Sequence, residues 1–224
     1  MHVFADPLNR DALISGFLWI LKLTGASAVI SLLLGTLLAA MRVSPIPVLR
    51  GFGTTWVNLF RNTPLTLIIF FSFFALGSTL GLKLSDDLST NVYWLAVIGL
   101  SVYTAAFVCE AIRSGINTIP AGQAEAARAI GLTFFQTLRL IILPQAGRAV
   151  IAPLGSILIA LTKNTTIAGT IGVVEASNTM KDLINENGDA VIAIFLVFAG
   201  TFVALLVPVG YLFNWLAGRY AVRR

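Results

Sequence analysis

Charge is scarce in this sequence: only 11% of its residues are Asp, Glu, Lys or Arg, against 57% hydrophobic. A soluble domain carries about a quarter charged residues, so this chain is short of the polar surface that water requires, and lipid is the expected solvent. Cysteine and histidine are nearly missing. Cys109 stands alone in an apolar run and His2 lies at the chain start. An intrachain disulfide framework is therefore excluded, and a zinc site, which needs several such ligands at set spacing, is not expected. No G-x-x-x-x-G-K-[ST] phosphate loop is present, so the chain is not expected to hydrolyse ATP. The net charge of +5 comes from basic residues scattered singly between apolar runs. With no basic stripe, nucleic acid is not an expected partner. The first dozen residues, with Asp6, Pro7, Arg10 and Asp11, lack the basic, apolar, small-residue order of a cleaved signal peptide.

What is abundant is long apolar sequence. A membrane helix needs roughly 20 apolar residues to cross about 30 Å of hydrocarbon. Five stretches qualify, at about Leu13–Met41, Pro64–Leu82, Tyr93–Ile112, Ala149–Val174 and Ala190–Ala217. The expected fold is all-α and integral to the membrane, one membrane domain spanning 1–224, without repeat or linker. Charges sort by side. Arg42, Arg50, Arg61, Arg113, Arg128, Arg139, Arg148, Arg219, Arg223 and Arg224 all fall on one side. The other side has Arg10, Lys83 and Lys181 with Asp6, Asp11, Asp86, Asp87, Glu175, Asp182, Glu186 and Asp189. The positive-inside rule puts the arginine side in the cytoplasm. The N-terminus is then outside and the C-terminus inside, as five crossings require. Thr63 before Pro64 reads as a hydroxyl cap and a first-position proline opening the second span.

The one large loop on the arginine side, from Arg113 to Arg148, contains Gly122-Gln123-Ala124-Glu125-Ala126-Ala127-Arg128-Ala129-Ile130-Gly131. Its alanines predict a short helix over Ala124–Ile130, with Gly131 at a left-handed C-terminal cap. Glu125 and Arg128 suit the helix dipole. Small side chains leave the helix slim enough to enter a groove on a partner.

Glu125-Ala126-Ala127, Gly131 and Ile142-Leu143-Pro144 resemble the EAA loop of ABC-importer permeases. The wider set is similar to the polar amino acid permeases: Arg61-Asn62-Thr63-Pro64, Glu110 with Arg113-Ser114-Gly115-Ile116, Leu143-Pro144-Gln145-Ala146 and Lys163-Asn164-Thr165-Thr166. Met41-Arg42-Val43-Ser44-Pro45 and Leu161–Ala168 resemble glutamate permeases of actinobacterial type in particular. Asn62 stands where many members have glycine. The resemblance implies a type I importer permease in the bacterial cytoplasmic membrane. Its coupling helix, made of Gln123, Ala124, Glu125, Ala126, Ala127, Arg128 and Gly131, would dock into an ATP-binding subunit. It further implies two ATP-binding subunits that supply ATP and Mg, a second permease subunit (identical or similar) and an extracytoplasmic amino-acid-binding protein. This chain itself is then a transport subunit and not an enzyme, with no cofactor or metal of its own.

Polar groups inside the spans are the remaining candidates. Lys22 lies within the first span, where a basic group costs about 2.5–3.5 kcal/mol on insertion scales. Either it faces the pathway and attracts an acidic solute, or it snorkels outward or pairs with an acid. Glu110 and Arg113 are one helical turn apart and form a structural polar pair. Lys163, Asn164 and Thr165 interrupt the fourth span, either lining a pathway or clamping helices. Gly16, Gly25, Ser27 and Gly35 read as packing contacts. Phe70, Phe71, Phe73 and Phe74 read as lipid-facing or subunit-packing. The stretch Asp182–Asp189 either docks an external protein or is solvated. The competing class, a secondary transporter or channel driven by an ion gradient, would need no ATPase. An intramembrane enzyme would need a convergent acid or Ser/His set, which the sequence lacks.

Overall fold

The computed structural model describes residues 2–220; Arg223, Arg224 and the side chain of His2 lie outside what is described. Every regular element among the described residues is helical. After a 3₁₀ turn, His2–Ala5, the Asp6 carboxylate accepts from the Leu8 N–H at 2.9 Å and Pro7 takes the first position of α1, Pro7–Val43. Then come α2, Pro47–Arg61, and α3, Leu65–Phe70, whose helix widens into a π-helix over Phe71–Thr79. Asp87 caps α4, Leu88–Asn117, by accepting from Thr90 N at 2.7 Å. Short helices follow: α5, Ala121–Ala129; α6, Phe134–Thr137, running through a π turn at Leu138–Ile142; and α7, Leu143–Ala149. Then α8, Ile151–Asn164, tightens into a 3₁₀ helix over Thr165–Ile171. Last are α9, Ala176–Glu186, and α10, Val191–Tyr220.

Side-chain pairings give the direction of each crossing. Along α1 and α4 the residue numbers rise together: the Tyr93 hydroxyl donates to Lys22 O at 3.2 Å, Gly35 meets Ala105 and Val108, and Arg42 pairs with Glu110. These two helices are parallel, so the chain must return between them. It does so in α3 with its π-helical extension, which runs antiparallel to α4: Ile69 meets Gly99, the Ser72 hydroxyl donates to Leu95 O at 2.6 Å, and Gly77 meets Leu95. α8 also opposes α4, with Val150 at Gly115 and Leu161 in one core cluster with Val97 and Leu100. α10 opposes α8, with Phe213 at Gly155 and Ile159 at Gly210.

Four helices are long and apolar enough to cross a membrane alone. The fifth crossing, Leu65–Thr79, qualifies only with Pro47–Arg61, from which it bends by 106°. The second span is thus shorter than the Pro64–Leu82 that hydropathy suggested. Its start also differs: Pro64 is itself the cap residue, and the Thr63 hydroxyl donates back to Leu59 O at 2.8 Å instead of capping forward. The two polar groups at the bend close off α2, since the Asn62 amide likewise donates to Asn58 O at 2.7 Å.

In lipid, helices associate through close packing of small residues. Gly35 fits this role: a Cβ there would come within 2.6 Å of Val108. Gly16 does the same against Ala176 of α9, and Ser27 is fully buried. Gly25 departs from expectation, because it faces outward with open space where a Cβ would be. The phenylalanines divide. Phe71 and Phe74 are exposed, whereas Phe70 and Phe73 pack against the core of Leu65, Ile69 and Ala96.

Candidate functional site

The loop between α4 and α8 stands at the arginine-rich end. α5 begins at Ala121, earlier than expected, because Pro120 supplies the preset turn before it. It ends at Ala129, with Ile130 at the C-cap. Gly131 adopts φ +90°, its N–H bonds Arg128 O at 3.0 Å, and Leu132 N–H bonds Ala127 O at 3.1 Å. That is the Schellman closure, in which a left-handed residue past the C-cap satisfies two terminal carbonyls. Thr133 and Gln136 then form a reciprocal capping box on α6, with two orphan N–H groups satisfied.

Of the residues expected to form the coupling surface, Gln123, Glu125, Ala126, Arg128 and Gly131 are exposed and Ala124 half-buried. Ala127 is the exception: it is buried and anchors α5 to its own chain. The Gln145 amide donates to Gln123 Oε1 at 2.7 Å and to Ile141 O at 2.8 Å. α5 is therefore bonded to α7. From there α7 leads into α8, and Gly115 of α4 admits Ala146 O and Val150 so closely that a Cβ would lie 2.3 Å from Val150. Sequence reasoning missed the apolar part of this surface. Ile130 is 80% exposed and Phe135 78%, with Phe134 beside them. The signal was available: two adjacent phenylalanines in a loop otherwise poor in aromatics.

Glu110 and Arg113 do pair, with Arg113 Nη2 at 2.9 Å from Glu110 Oε2. The structure adds two arginines. Arg42 of α1 bonds Oε1 of the same carboxylate, and Arg61 at the end of α2 lies 3.6 Å from it. Arg61 also sits over the Phe107 ring at 5.8 Å. One carboxylate thus gathers guanidinium groups from three helices. Only Arg113 was within reach of a one-turn argument, because Arg42 and Arg61 arrive through tertiary folding.

The polar break in α8 does not gather its residues onto one face. Asn164 is half-buried and lines a cavity of about 230 Å³ with Tyr103, Thr104, Phe107 and Ser156. Lys163 is exposed and faces Phe202, Leu206 and Val207 of α10. Thr165 is fully buried and donates to Thr162 O at 2.7 Å. Thr166 and Thr170 make the same three-residue back-bond, at 2.8 and 2.7 Å. Such hydroxyl bonds compete with the α-helical ladder, and here they accompany the tighter 3₁₀ helix. Lys22 joins none of these groups: its ammonium lies 4.7 Å over the ring of Trp19, one turn towards the N-terminus.

At the opposite end Glu175, counted by sequence among the acids of the less basic side, is not a surface group. It is fully buried and caps α9, accepting from Ser177 N at 2.8 Å and Asn178 N at 3.1 Å. Burial pushes its carboxyl above the usual range, against the opposing effect of these bonds and of Lys181.

Residues 31–222 match the family described as the binding-protein-dependent transport system inner membrane component. The glutamate transport system permease protein GluC of Corynebacterium efficiens is 50% identical, over 95% of this chain and 96% of its own length. Its counterpart from Corynebacterium glutamicum is 48% identical over the same shares. Among solved structures, an amino acid ABC transporter crystallised with histidines superposes with a TM-score of 0.84 at 25% identity, over 94% of each chain. With this architecture and these relatives, the chain belongs to the inner-membrane component family of binding-protein-dependent transport systems, the permease subunits of ABC importers.

Proposed function

We propose that the chain forms, with a second permease subunit, the pathway of a bacterial cytoplasmic-membrane importer for glutamate, driven by ATP-binding partner subunits. The observation that carries the energy-coupling part is α5. It is exposed, closed at its end by a Schellman turn, and hydrogen-bonded through Gln145 to the helices that continue into α8. A push on such an element is transmitted instead of absorbed by fraying. Gln123, Ala124, Glu125, Ala126, Arg128 and Gly131 form the docking surface in this reading, and Ala127 seats it. ATP and Mg belong to two partner subunits. The arginine bias puts α5 in the cytoplasm and the N-terminus outside. An extracytoplasmic binding protein delivers the amino acid at the opposite end, which α9 covers.

The substrate rests on the names of the two corynebacterial relatives. Asn164, with Tyr103 and Ser156 around a membrane-depth cavity, is the group best placed to line the pathway. Thr165 holds the break in shape. Lys163 and Lys22 contribute positive potential towards an acidic solute without touching it.

Uptake by proteoliposomes containing the chain, its co-purified ATPase and the binding protein tests this reading. Labelled glutamate should enter only with ATP, and unlabelled glutamate should compete better than arginine. Gly131→Val separates coupling from folding. The left-handed backbone costs a non-glycine residue about 1–2 kcal/mol, while no atom lies within 4 Å of where the new Cβ would be. The variant should remain in the membrane and lose most ATP-coupled uptake. Uptake that persists without ATP, or a Gly131→Val variant with full activity, overturns the coupling assignment.

A further inference from the structure

Pro47–Arg61 carries two opposed stripes. Val48, Phe52, Trp56 and Leu59 follow one another at i, i+4, i+8 and i+11. Arg50, Thr54, Asn58 and Arg61 repeat that spacing two residues later, which puts them on the other side of the helix. A third flank packs on the protein: Gly53 meets Arg42 and Leu38, and Val57 is buried with Leu38, Ala105 and Ala106. Trp56 is half-buried against that flank, but the rest of the apolar stripe has no such cover, for Val48 is 78% exposed, with Phe52 and Leu59 also exposed.

Orientation turns this pattern into a location. α2 meets the following crossing at 106°, so it lies close to the membrane plane. A helix in that plane with one apolar and one basic side seats its apolar side about 5–10 Å into the headgroup and acyl boundary. The length of the next crossing agrees independently. It has six α-helical and nine π-helical residues, at most about 22 Å at 1.5 Å per residue. That is short of the roughly 30 Å hydrocarbon core. A crossing that begins from a helix already sunk in the leaflet need not span the full thickness.

The charges complete the site. Arg42, Arg61 and Arg113 share the single carboxylate of Glu110, which leaves two positive charges over, and Arg50 adds another on the polar stripe. Arg61 keeps 45% of its side chain exposed. Guanidinium groups recognise phosphate oxygens in a planar fork, and the phosphate present at that depth is a lipid headgroup.

We propose that α2 is an in-plane anchor in the leaflet at the arginine-rich end, and that Arg50 and Arg61 bind the phosphate of an anionic phospholipid. The proposal rests on the membrane-permease reading but not on the substrate or on ATP. An ATPase subunit docked on α2 would have to draw the apolar stripe out of the bilayer, so lipid is the favoured occupant.

The full-length chain is reconstituted in nanodiscs of phosphatidylglycerol and phosphatidylcholine. Spin labels are placed at Val48→Cys or Asn58→Cys in a Cys109→Ala background. The first label should be open to oxygen and the second to a water-soluble nickel complex. Native mass spectrometry of the detergent-purified chain should show phosphatidylglycerol retained in preference to phosphatidylcholine. Arg50→Gln, which leaves the Glu110 cluster whole, should weaken that retention about fivefold, with a similar further loss for Arg61→Gln. Retention of the two lipids alike, or displacement of phosphatidylglycerol by millimolar inorganic phosphate, overturns the site. Nickel access at both labels overturns the in-plane placement. A Val48 label shielded only once ATPase subunits are added assigns the face to a protein partner instead.

Discussion

Glu110 shows how one residue fastens several elements. Arg42, Arg61 and Arg113 reach its carboxylate from α1, α2 and α4, so the bend after α2 is tied to the two parallel helices at the same end. Replacing Glu110 with Gln keeps the shape and removes the charge. Arg42, whose side chain is only 12% exposed, would then face two other arginines with no anion between them. Hydrogen bonds to charged groups contribute about 1.5–3 kcal/mol each, and partial exposure reduces this. A loss on the order of 2 kcal/mol is expected, read as a lower melting temperature of the detergent-solubilised chain. Arg42→Gln combined with Glu110→Gln should cost less than the sum of the two single changes, because the second removes a charge that the first has already orphaned. Strict additivity would show that the cluster carries no coupling. The sequence exposed the Glu110–Arg113 half of this cluster through spacing alone, whereas Arg42 lies 68 positions from Glu110 and no local rule connects them.

At the scale of elements, the fourth span and α9 form one unit. Glu175 caps α9, and its Oε1 sits where a Cβ on Gly169 would come within 2.5 Å. Ser177 has one hydroxyl proton and two acceptors, Glu175 Oε1 and Thr166 O at 3.2 Å. With Glu175 protonated both contacts are satisfied: the carboxyl donates to Ser177 Oγ, and Ser177 donates to the 3₁₀ segment. Burial raises the Glu175 carboxyl, with Lys181 and the bonds from Ser177 and Asn178 opposing. A raised folded-state value means that this contribution is fully present below the unfolded carboxyl value of 4.5 and is lost as pH rises through the raised value. The wild type should therefore lose melting temperature relative to Glu175→Gln as pH climbs above that range. A constant difference between the two would remove Glu175 as the titrating link. The polar break at Lys163–Thr166 was legible as a departure from hydropathy. Its conversion to 3₁₀ helix was not, since it depends on hydroxyls of Thr165, Thr166 and Thr170 choosing carbonyls three residues back. The burial of Glu175 was equally hidden: on a linear chain it is one acid in an acid-rich loop.

Over the whole molecule, direction is the property that organises everything else. Hydropathy alone identified five apolar stretches, and four correspond to helices that can cross unaided. The second came out too long because an apolar window cannot see a 106° bend or a π-helix. The structure supplies the missing constraint: α1 and α4 run parallel, so one crossing must lie between them however short it is. Five crossings put the two termini at opposite ends. One end then gathers α2, α5 and Arg42, Arg50, Arg61, Arg113, Arg128, Arg139 and Arg148; the other gathers α9 and the acids from Asp182 to Asp189. In the proposed orientation, which rests on the arginine bias, that axis has α5 inside. Single cysteines at Ser85 and Asn187, set against Gly122 and Ser44, in a Cys109→Ala background, test the axis with an impermeant maleimide on intact cells. Ser85→Cys and Asn187→Cys should label from outside, and Gly122→Cys and Ser44→Cys only after the membrane is opened. The reversed pattern would put α5 on the side without ATP. Labelling of Ser85→Cys and Ser44→Cys from the same side would mean that Leu65–Thr79 does not cross, which the parallel packing of α1 and α4 forbids.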